Sequence, residues 1–386
     1  MVSRPRAIRP VALGSVPIAC LLLAGISCAA WAQPSGGGQD DVVQTLLLIG
    51  DAGDPKKGGE PVLVALRSDV ERQPERTTVV FLGDNLYPAG LPPEGHPQRR
   101  KLERRLDDQV DAVRDTGARV VFIPGNHDWD REGADGWNAV RRQQERVEAR
   151  GGERVAYLPR DGCPGPALLD VGERLRIVAL DTQWWLHGHA RPEHPTSACA
   201  ADSEPEVLAD LREALHGAGS REIVVAAHHP LVSGGPHGGK FSLKQHVFPL
   251  TERKRWLWLP LPFIGSSYPI ARQSGVTSQD LTSAAYRRMR DAFVAVLRER
   301  PPLAWASGHE HVLQVIESPR YGRVLVSGAG IHGHVTHVRD VEGSRHSAAR
   351  SGYMRLDLLA DGRRRLGVIE VAKDGSAREA WSAFLQ

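Results

Sequence analysis

Five short polar clusters contain the residues whose types and spacing are suited to chemistry. Each cluster supplies Asp, Asn, Tyr or His side chains, four of the five also contain glycine, and they are Gly50-Asp51-Ala52-Gly53-Asp54, Gly83-Asp84-Asn85-Leu86-Tyr87, Gly125-Asn126-His127-Asp128, His228-His229-Pro230 and Gly308-His309-Glu310-His311. One such cluster alone is weak evidence, because an Asp after a strand is often only a helix cap or a turn residue. Together they offer carboxylate, imidazole and neutral oxygen donors, the mixture required by two metal ions about 3.5 to 4 Å apart. A metal pair of this kind binds phosphate oxygens and ionises water.

Each cluster follows a run that predicts a β-strand. The predicted strands before and among the clusters are 42–49, 77–82, 118–123, 175–180, 222–227 and 303–307. Helical patterns separate them at 98–116, from a predicted capping box at Ser203 onward, and at 281–298. This alternation predicts an α/β domain in which the strand ends bring the clusters to one edge of a sheet.

Short strands predominate after residue 312. The runs 312–316, 324–327, 353–358 and 366–371 predict a C-terminal antiparallel β block. The sequence contains no evident linker, so residues 41–386 are expected to form one domain.

The ordered series of clusters resembles the calcineurin-like metallophosphoesterase superfamily over about residues 43–330. Tyr87, three residues after Asp84, makes the series most similar to the purple acid phosphatase branch. The resemblance implies a four-layer α/β/β/α sandwich of two mixed sheets. The sequence departs from the branch in lacking a Trp in the first motif and in the length of the segment between His228 and His309, where an insertion at about 238–280 is expected.

The resemblance also implies the metal ligands. The first metal, usually ferric iron, would be held by Asp51, Asp84, Tyr87 and His311, and the second by Asp84, Asn126, His228 and His309. The implied cofactor is a pair of metal ions, iron with iron, zinc or manganese. Tyr87 has an alternative interpretation as a buried packing residue, and His229 is interpreted as a partner of a ligand.

Two further histidines are candidate catalytic residues. In the family the residue matching His127 points at the substrate phosphate, where it can donate a hydrogen bond or a proton to the leaving group. His237 matches a second phosphate-binding position or is a solvated loop residue. The implied activity is hydrolysis of phosphomonoesters by a metal-bound hydroxide. The alternatives are a phosphodiesterase acting on nucleotides or lipid head groups, and a non-catalytic, metal-stabilised binding module of the cell envelope.

The N-terminus has the pattern of a secretory signal peptide over residues 1–32. Arg4, Arg6 and Arg9 precede an apolar run, and Ala30-Trp31-Ala32 forms a small-residue cleavage pattern. Without these arginines the 49 basic residues become 46, equal to the 46 acidic ones. A mature chain without net charge does not favour nucleic acid as a structural partner. The expected partner is a small phosphorylated substrate, and the expected location is the bacterial periplasm or the medium.

Two other features depend on export and on surface contacts. Cys163 and Cys199 are the cysteines that remain after cleavage, and in an exported chain they suggest one disulfide. The apolar run 256–264 is too short to cross a bilayer. It either packs on its own domain or serves as a substrate lid or as a contact with a membrane surface.

Overall fold

The computed structural model describes residues 42–251, 256–261 and 264–386, so the predicted signal peptide lies outside the described residues. Fourteen strands are present in this part of the chain. In chain order they are β1 (Val42–Ile49), β2 (Thr77–Phe81), β3 (Arg119–Phe122), β4 (Val155–Tyr157), β5 (Ala167–Val171), β6 (Leu175–Leu180), β7 (Glu222–Ala227), β8 (Ala304–Ser307), β9 (Leu313–Ser318), β10 (Gly322–Ser327), β11 (Ser344–Ala348), β12 (Gly352–Leu359), β13 (Arg364–Val371) and β14 (Ala377–Leu385).

The strands form two seven-stranded mixed sheets. The first has the order β14-β13-β12-β1-β2-β3-β4, and the second has the order β11-β9-β10-β8-β7-β6-β5. Strands β1 to β4 run parallel in the first sheet, and β6, β7, β8 and β10 run parallel in the second. The carboxyl ends of parallel strands lie at one edge of their sheet, which is where α/β sheets place ligand sites.

Eight α-helices accompany the sheets within the described residues. They are α1 (Pro61–Val70), α2 (Arg99–Asp111), α3 (Gly136–Gly151), α4 (Thr182–Leu186), α5 (Glu204–His216), α6 (Leu243–Val247), α7 (Ser267–Gln273) and α8 (Ala284–Glu299).

Alternate residues of the strands contribute to two separate cores. Leu46 and Leu48 of β1 pack with Val224 and Ala226 of β7 in a core between the sheets. Leu47, the residue between them, belongs to the core that includes the helices. Because successive side chains of a strand point to opposite faces, each sheet has one face on the other sheet and one face on helices. The predicted four-layer α/β/β/α sandwich is confirmed.

The predicted strands and helices are present with shifts of a few residues at their ends, and the predicted C-terminal antiparallel strands are confirmed. They are divided between the sheets: β9 to β11 complete the second sheet, and β12 to β14 extend the first beside β1. One expectation needs correction. Helix α5 begins after Ser203 as predicted, yet the Ser203 hydroxyl donates to Glu206 Oε2 at 2.8 Å and does not cap a helix N–H. The predicted capping box is therefore absent.

The segment 238–280 contains α6 and α7 and has exposed apolar side chains. Trp256 is 72% exposed and Trp258 is 54% exposed, although Trp258 also packs against Phe248 and under the Lys244 ammonium. The described residues of the 256–264 run therefore do not form a loop packed into the domain. Among the described residues, no helix has the length and apolarity needed to cross a membrane.

A disulfide joins Cys163 to Cys199, with their Cα atoms 5.7 Å apart. The bond connects the loop before β5 to the exposed segment between α4 and α5. The pairing suggested by the sequence is thus present.

Candidate metal centre

The two sheets bring their loops together at the carboxyl ends of their central strands. Asp51, Asp84 and Asn126 follow β1, β2 and β3 of the first sheet, whereas His228 and His309 follow β7 and β8 of the second. Asp51 and His309 are joined directly, because the His309 main-chain N–H donates to Asp51 Oδ2 at 2.8 Å. The site is therefore built across the boundary between the sheets.

Three of these residues have left-handed backbone conformations that non-glycine residues rarely adopt. The φ angles are 58° for Asp51, 54° for Asp84 and 70° for His309. Each such conformation costs roughly 1 to 2 kcal/mol, so the surrounding hydrogen bonds must enforce it. Packing is equally tight at Gly125, where a Cβ atom would lie 2.3 Å from the Asp84 nitrogen. The loops are held in fixed positions around the site.

A first group of donor atoms converges on the Tyr87 hydroxyl. This oxygen lies 2.9 Å from Asp51 Oδ1, 3.1 Å from Asp84 Oδ2 and 3.0 Å from His311 Nε2. His311 Nε2 is also 3.4 Å from Asp51 Oδ1. These four side chains are the ones that the sequence predicts for the first metal.

A second group converges on the Asn126 side-chain oxygen. Asn126 Oδ1 lies 3.0 Å from His228 Nε2 and 3.1 Å from His309 Nδ1. His228 Nε2 lies 3.4 Å from Asp84 Oδ1. Asp84 therefore belongs to both groups, with Oδ2 in the first and Oδ1 in the second.

Hydrogen bonds orient the rings of two histidines in the second group. Nδ1 of His228 lies 2.8 Å from the Leu82 main-chain oxygen, and Nε2 of His309 lies 3.1 Å from the Gln279 main-chain oxygen. Since a carbonyl oxygen only accepts, these nitrogens have the hydrogen atoms. His228 Nε2 and His309 Nδ1 are then unprotonated in the neutral rings and face the site as metal ligands require.

His229 lies beside the second group but has different partners. Its Nδ1 is 2.7 Å from the Thr182 hydroxyl, and its Nε2 is 2.8 Å from Gln279 Oε1. A donor atom of His229 is nevertheless within 4.8 Å of donor atoms of His228 and His309. Because both ring nitrogens of His229 have neutral hydrogen-bond partners, the geometry suits a residue that orients its neighbours.

The site contains two buried carboxyl groups, and positive charge beside them would stabilise their ionised forms. Burial raises the pKa of Asp51 to about 8, with His228 opposing the rise and Asp84 adding to it. Burial also raises the pKa of Asp84, but the nearby His228 and His127 outweigh it and lower the pKa below its usual value. Among the described residues, no Lys or Arg contacts these carboxylate oxygens. Two adjacent buried carboxylates with oxygen and imidazole donors fit a pair of metal cations.

Both candidate catalytic histidines lie next to the donor groups. His127 Nδ1 is 2.6 Å from the Pro88 main-chain oxygen, and His127 Nε2 is 3.9 Å from Asp84 Oδ2. The ring of His237 lies 4.1 Å from that of His309, centroid to centroid. His237 Nδ1 is 3.2 Å from the Gln279 main-chain oxygen. The structure thus brings all of the site residues predicted from the sequence to one place.

Sequence reasoning missed Gln279, which lies at the end of the 238–280 segment. Besides its contacts with His229 and His309, its side-chain nitrogen donates to Glu132 Oε1 and Gln183 Oε1, each at 2.9 Å. No predicted strand or motif precedes this residue, so no sequence signal pointed to it. Gln279 thus connects the 238–280 segment to the second donor group by hydrogen bonds.

Sequence reasoning also missed His334, in the loop after β10. The His334 ring lies 4.1 Å from that of His311 and 5.5 Å from that of Tyr87. Its signal was available, because histidines at 332, 334 and 337 directly follow a predicted strand.

Comparison with known proteins is consistent with this fold. The model of the calcineurin-like phosphoesterase family matches residues 45–313. A solved structure of GAP50, the anchor in the inner membrane complex of Plasmodium, is 16% identical with a TM-score of 0.54, covering 89% of this chain and 88% of that one. No curated protein matches the chain significantly.

Two further solved structures are similar over part of their length. Purple acid phosphatase PPD1 from yellow lupin (Lupinus luteus) seeds is 13% identical with a TM-score of 0.49, covering 88% of this chain and 53% of that one. The 5′-nucleotidase precursor from Thermus thermophilus is 16% identical with a TM-score of 0.35, covering 89% of this chain and 54% of that one. The chain spans about half the length of these two proteins.

The family match and the clustered donor residues define the class of protein as a metal-dependent phosphoester hydrolase. The chain belongs to the calcineurin-like phosphoesterase family.

Proposed function

We propose that the protein hydrolyses phosphomonoesters at a dinuclear metal centre. The observation that carries this proposal is the position of Asp84, whose two carboxylate oxygens face two different donor groups. A carboxylate that bridges two cations in this way is what a two-metal phosphoesterase requires. Asp51, Tyr87 and His311 complete the first metal site, and Asn126, His228 and His309 complete the second.

Two metal ions held by these residues would supply Lewis acidity toward the phosphate oxygens and would lower the pKa of a water molecule. The protein contributes the positions of the donors, which are fixed by the left-handed backbone at Asp51, Asp84 and His309. The main-chain oxygens of Leu82 and Gln279 fix the orientations of the His228 and His309 rings. Such preorganisation is needed for phosphoryl transfer, which depends mainly on positioning and charge stabilisation.

His127 is proposed to assist the departure of the alcohol. Because its Nδ1 hydrogen bonds to the Pro88 main-chain oxygen, a hydrogen on Nε2 is present only in the imidazolium form. The imidazolium donates from Nε2 to the ester oxygen as the bond to phosphorus breaks. His237, packed on the His309 ring, is proposed to contact the substrate phosphate.

Tyr87 favours iron in the first site. A phenolate oxygen is a hard donor and suits a ferric ion, whereas the second site has one carboxylate, one amide and two imidazoles, which suit iron, zinc or manganese. The position of the hydroxyl among Asp51, Asp84 and His311 supports a ligand role over a packing role.

Export to the periplasm or the medium is proposed from the pattern of residues 1–32 and from the Cys163–Cys199 disulfide, since such bonds persist in oxidising compartments. Cell fractionation tests export, and N-terminal sequencing of the recovered protein tests cleavage after residue 32. Protein found only in the cytoplasm, with residues 1–32 intact, would contradict the proposal. Contact of 256–264 with a membrane stays a prediction.

Turnover of two chromogenic substrates tests the proposed activity. Metal-loaded protein is assayed with an aryl phosphomonoester and the matching diester, with Asp84→Asn as the control. Dominant monoester turnover that the control lacks is the expected result. Dominant diester turnover would replace the proposal with a phosphodiesterase. No turnover by fully metallated protein would favour a binding module. GAP50, which is described as an anchor, shares the fold of this chain, and only the fold is shared.

A further inference from the structure

A second polar group, which the proposed function does not use, lies beside the first donor group. It combines Lys56, from the loop after β1, with His332, from the loop after β10. Glu60 clamps the two loops together: its Oε1 accepts from the His332 main-chain N–H at 2.7 Å, and its Oε2 accepts from the Lys56 main-chain N–H at 3.4 Å. Since Glu60 is only 3% exposed, this clamp is a built part of the fold.

The clamp brings the two side chains into contact. Lys56 Nζ lies 3.2 Å from His332 Nδ1. An ammonium group only donates hydrogen bonds, so His332 Nδ1 accepts and the ring hydrogen is on Nε2. Lys56 keeps two further N–H donors and His332 keeps one. A positive charge with several donors, in partly exposed positions, is suited to binding an anion.

The loops that contain Lys56 and His332 also contact the predicted ligands of the first metal or contain one of them. Two residues beyond His332, the His334 ring packs on that of His311 at 4.1 Å, and the Thr336 N–H donates to the His311 main-chain oxygen at 3.1 Å. On the other loop, Lys56 follows Asp51 by five residues, which span at most about 18 Å when fully extended. Lys56 and His332 thus lie on the same two loops as Asp51 and the His334 ring.

A groove that includes His332 in its lining adjoins the Lys56–His332 pair. Its volume is about 720 Å³, and its lining includes His332, Arg350, Ser351 and Arg378. Arg378 is neutralised by Glu370 at 2.6 Å, and Arg350 is exposed. The lining therefore adds the exposed guanidinium of Arg350 to the charge of Lys56.

We infer that Lys56 and His332 form a subsite for a second phosphate group, located on the leaving group of the substrate. This inference rests on the proposed phosphomonoesterase activity and names its substrate class: organic bisphosphates, in which one phosphate is hydrolysed at the metal centre while the other is held by Lys56 and His332. The first phosphate leaves as inorganic phosphate, and the product is the monophosphate that carries the second group.

The test compares substrates that differ by one phosphate. The kcat/KM of a sugar bisphosphate is divided by that of the sugar monophosphate, and a nucleoside 3′,5′-bisphosphate is compared with the nucleoside 5′-monophosphate in the same way. We expect ratios well above one for wild-type protein. Lys56→Ala and His332→Ala should each lower the ratio about tenfold or more, because each removes a charge-assisted hydrogen bond. Their main-chain bonds to Glu60 do not depend on the side chain, so the variants keep the clamp.

Lys57→Ala is the matched control, since Lys57 is the neighbouring exposed lysine and its replacement removes the same charge. An unchanged ratio in this control, with the fall confined to the other two variants, supports the subsite. Ratios near one for wild type, or equal effects of Lys56→Ala and Lys57→Ala, would overturn it while monoester turnover persisted. Absence of all monoester turnover would instead refute the proposed function. A preference in one pair of substrates only would show which kind of bisphosphate the groove accepts.

Discussion

The Tyr87 hydroxyl lies 3.1 Å from Asp84 Oδ2, and only two residues separate Tyr87 from Asp84 in the chain. The same hydroxyl contacts Asp51 and His311, which come from loops of different sheets. Burial, followed by the charges of Asp51 and Asp84, raises the pKa of the Tyr87 hydroxyl well above its usual value. Only a strongly bound cation would favour the phenolate in this position.

Tyr87→Phe is predicted to remove one ligand from the first metal and to abolish the visible colour that a ferric phenolate produces. Absorbance spectra of the iron-loaded wild type and variant, together with their metal contents, measure this. Tyr353→Phe is the control, because that buried hydroxyl donates to Asp69 of α1 and not to a candidate metal ligand. A variant that kept the colour would show that Tyr87 is a packing residue.

Asp84→Asn is predicted to lower turnover about a thousandfold or more, because a bridging ligand to both ions is lost. The metal-free variant should also be less stable than the metal-free wild type at neutral pH, since the neutral amide loses the attraction of His228 and His127 that lowers the pKa of Asp84. Turnover, metal content and chemical unfolding are measured side by side. Glu94→Gln, which alters an exposed carboxylate in the loop between β2 and α2, should change none of them. Loss of turnover with full retention of both ions would contradict a bridging role.

His127→Asn is predicted to slow the hydrolysis of alkyl phosphates much more than that of aryl phosphates. An alkoxide leaving group needs a proton and an activated phenolate does not, so a missing proton donor shows in the dependence of kcat on the leaving group. The expected difference is on the order of a hundredfold. A uniform loss across all leaving groups would indicate that His127 only binds or positions the phosphate.

Gln279→Leu is predicted to lower the free energy of unfolding by about 2 kcal/mol, because His229, Glu132 and Gln183 lose a buried hydrogen-bond partner. The affinity for the second metal should fall more than that for the first, since His229, whose ring packs on those of His228 and His309, loses the Gln279 side-chain partner of its Nε2. Chelator competition and chemical unfolding measure the two effects. Gln273→Leu alters an exposed glutamine at the end of α7 and should leave both unchanged. Equal weakening of both metals would contradict the link between Gln279 and the second site.

Replacing Cys163 and Cys199 together by Ser is predicted to lower the free energy of unfolding by about 3 to 4 kcal/mol, through the greater chain entropy of the unfolded state. The bond joins residues 36 positions apart. Denaturant titration of the variant and of reduced wild type should show the same loss. Turnover of the folded variant should be unchanged, because neither cysteine contacts the donor groups. An unchanged midpoint would show that the bond does not constrain the unfolded chain.

The proximity of the candidate donors could be predicted from the sequence because most of them follow a strand with a clear pattern. Asp51 and His228 come directly after apolar runs, and parallel strands must deliver such residues to one edge. The partners of the strands were less predictable. The patterns of β12 and β13 identify strands, but they do not show that these strands extend the first sheet beside β1, because pairing depends on the path of the whole chain.

The contacts that support the site escaped prediction for a related reason. Gln279 reaches His309 only through the fold of the 238–280 segment, whose residues have no periodic pattern. Lys56 and His332 are separated by 276 positions and are joined by Glu60, whose role depends on its burial. Glu60 lacks any neighbouring motif, so only the three-dimensional structure identifies it as the clamp between the two loops.

The most direct test of the dinuclear centre is a titration of metal-free protein with metal ions, following bound metal and aryl phosphomonoester turnover in the same samples. We expect two ions to bind per chain, with turnover appearing only as the second site fills, and neither result in Asp84→Asn. Full turnover with one ion per chain, or binding of two ions that did not depend on Asp84, would contradict the dinuclear centre.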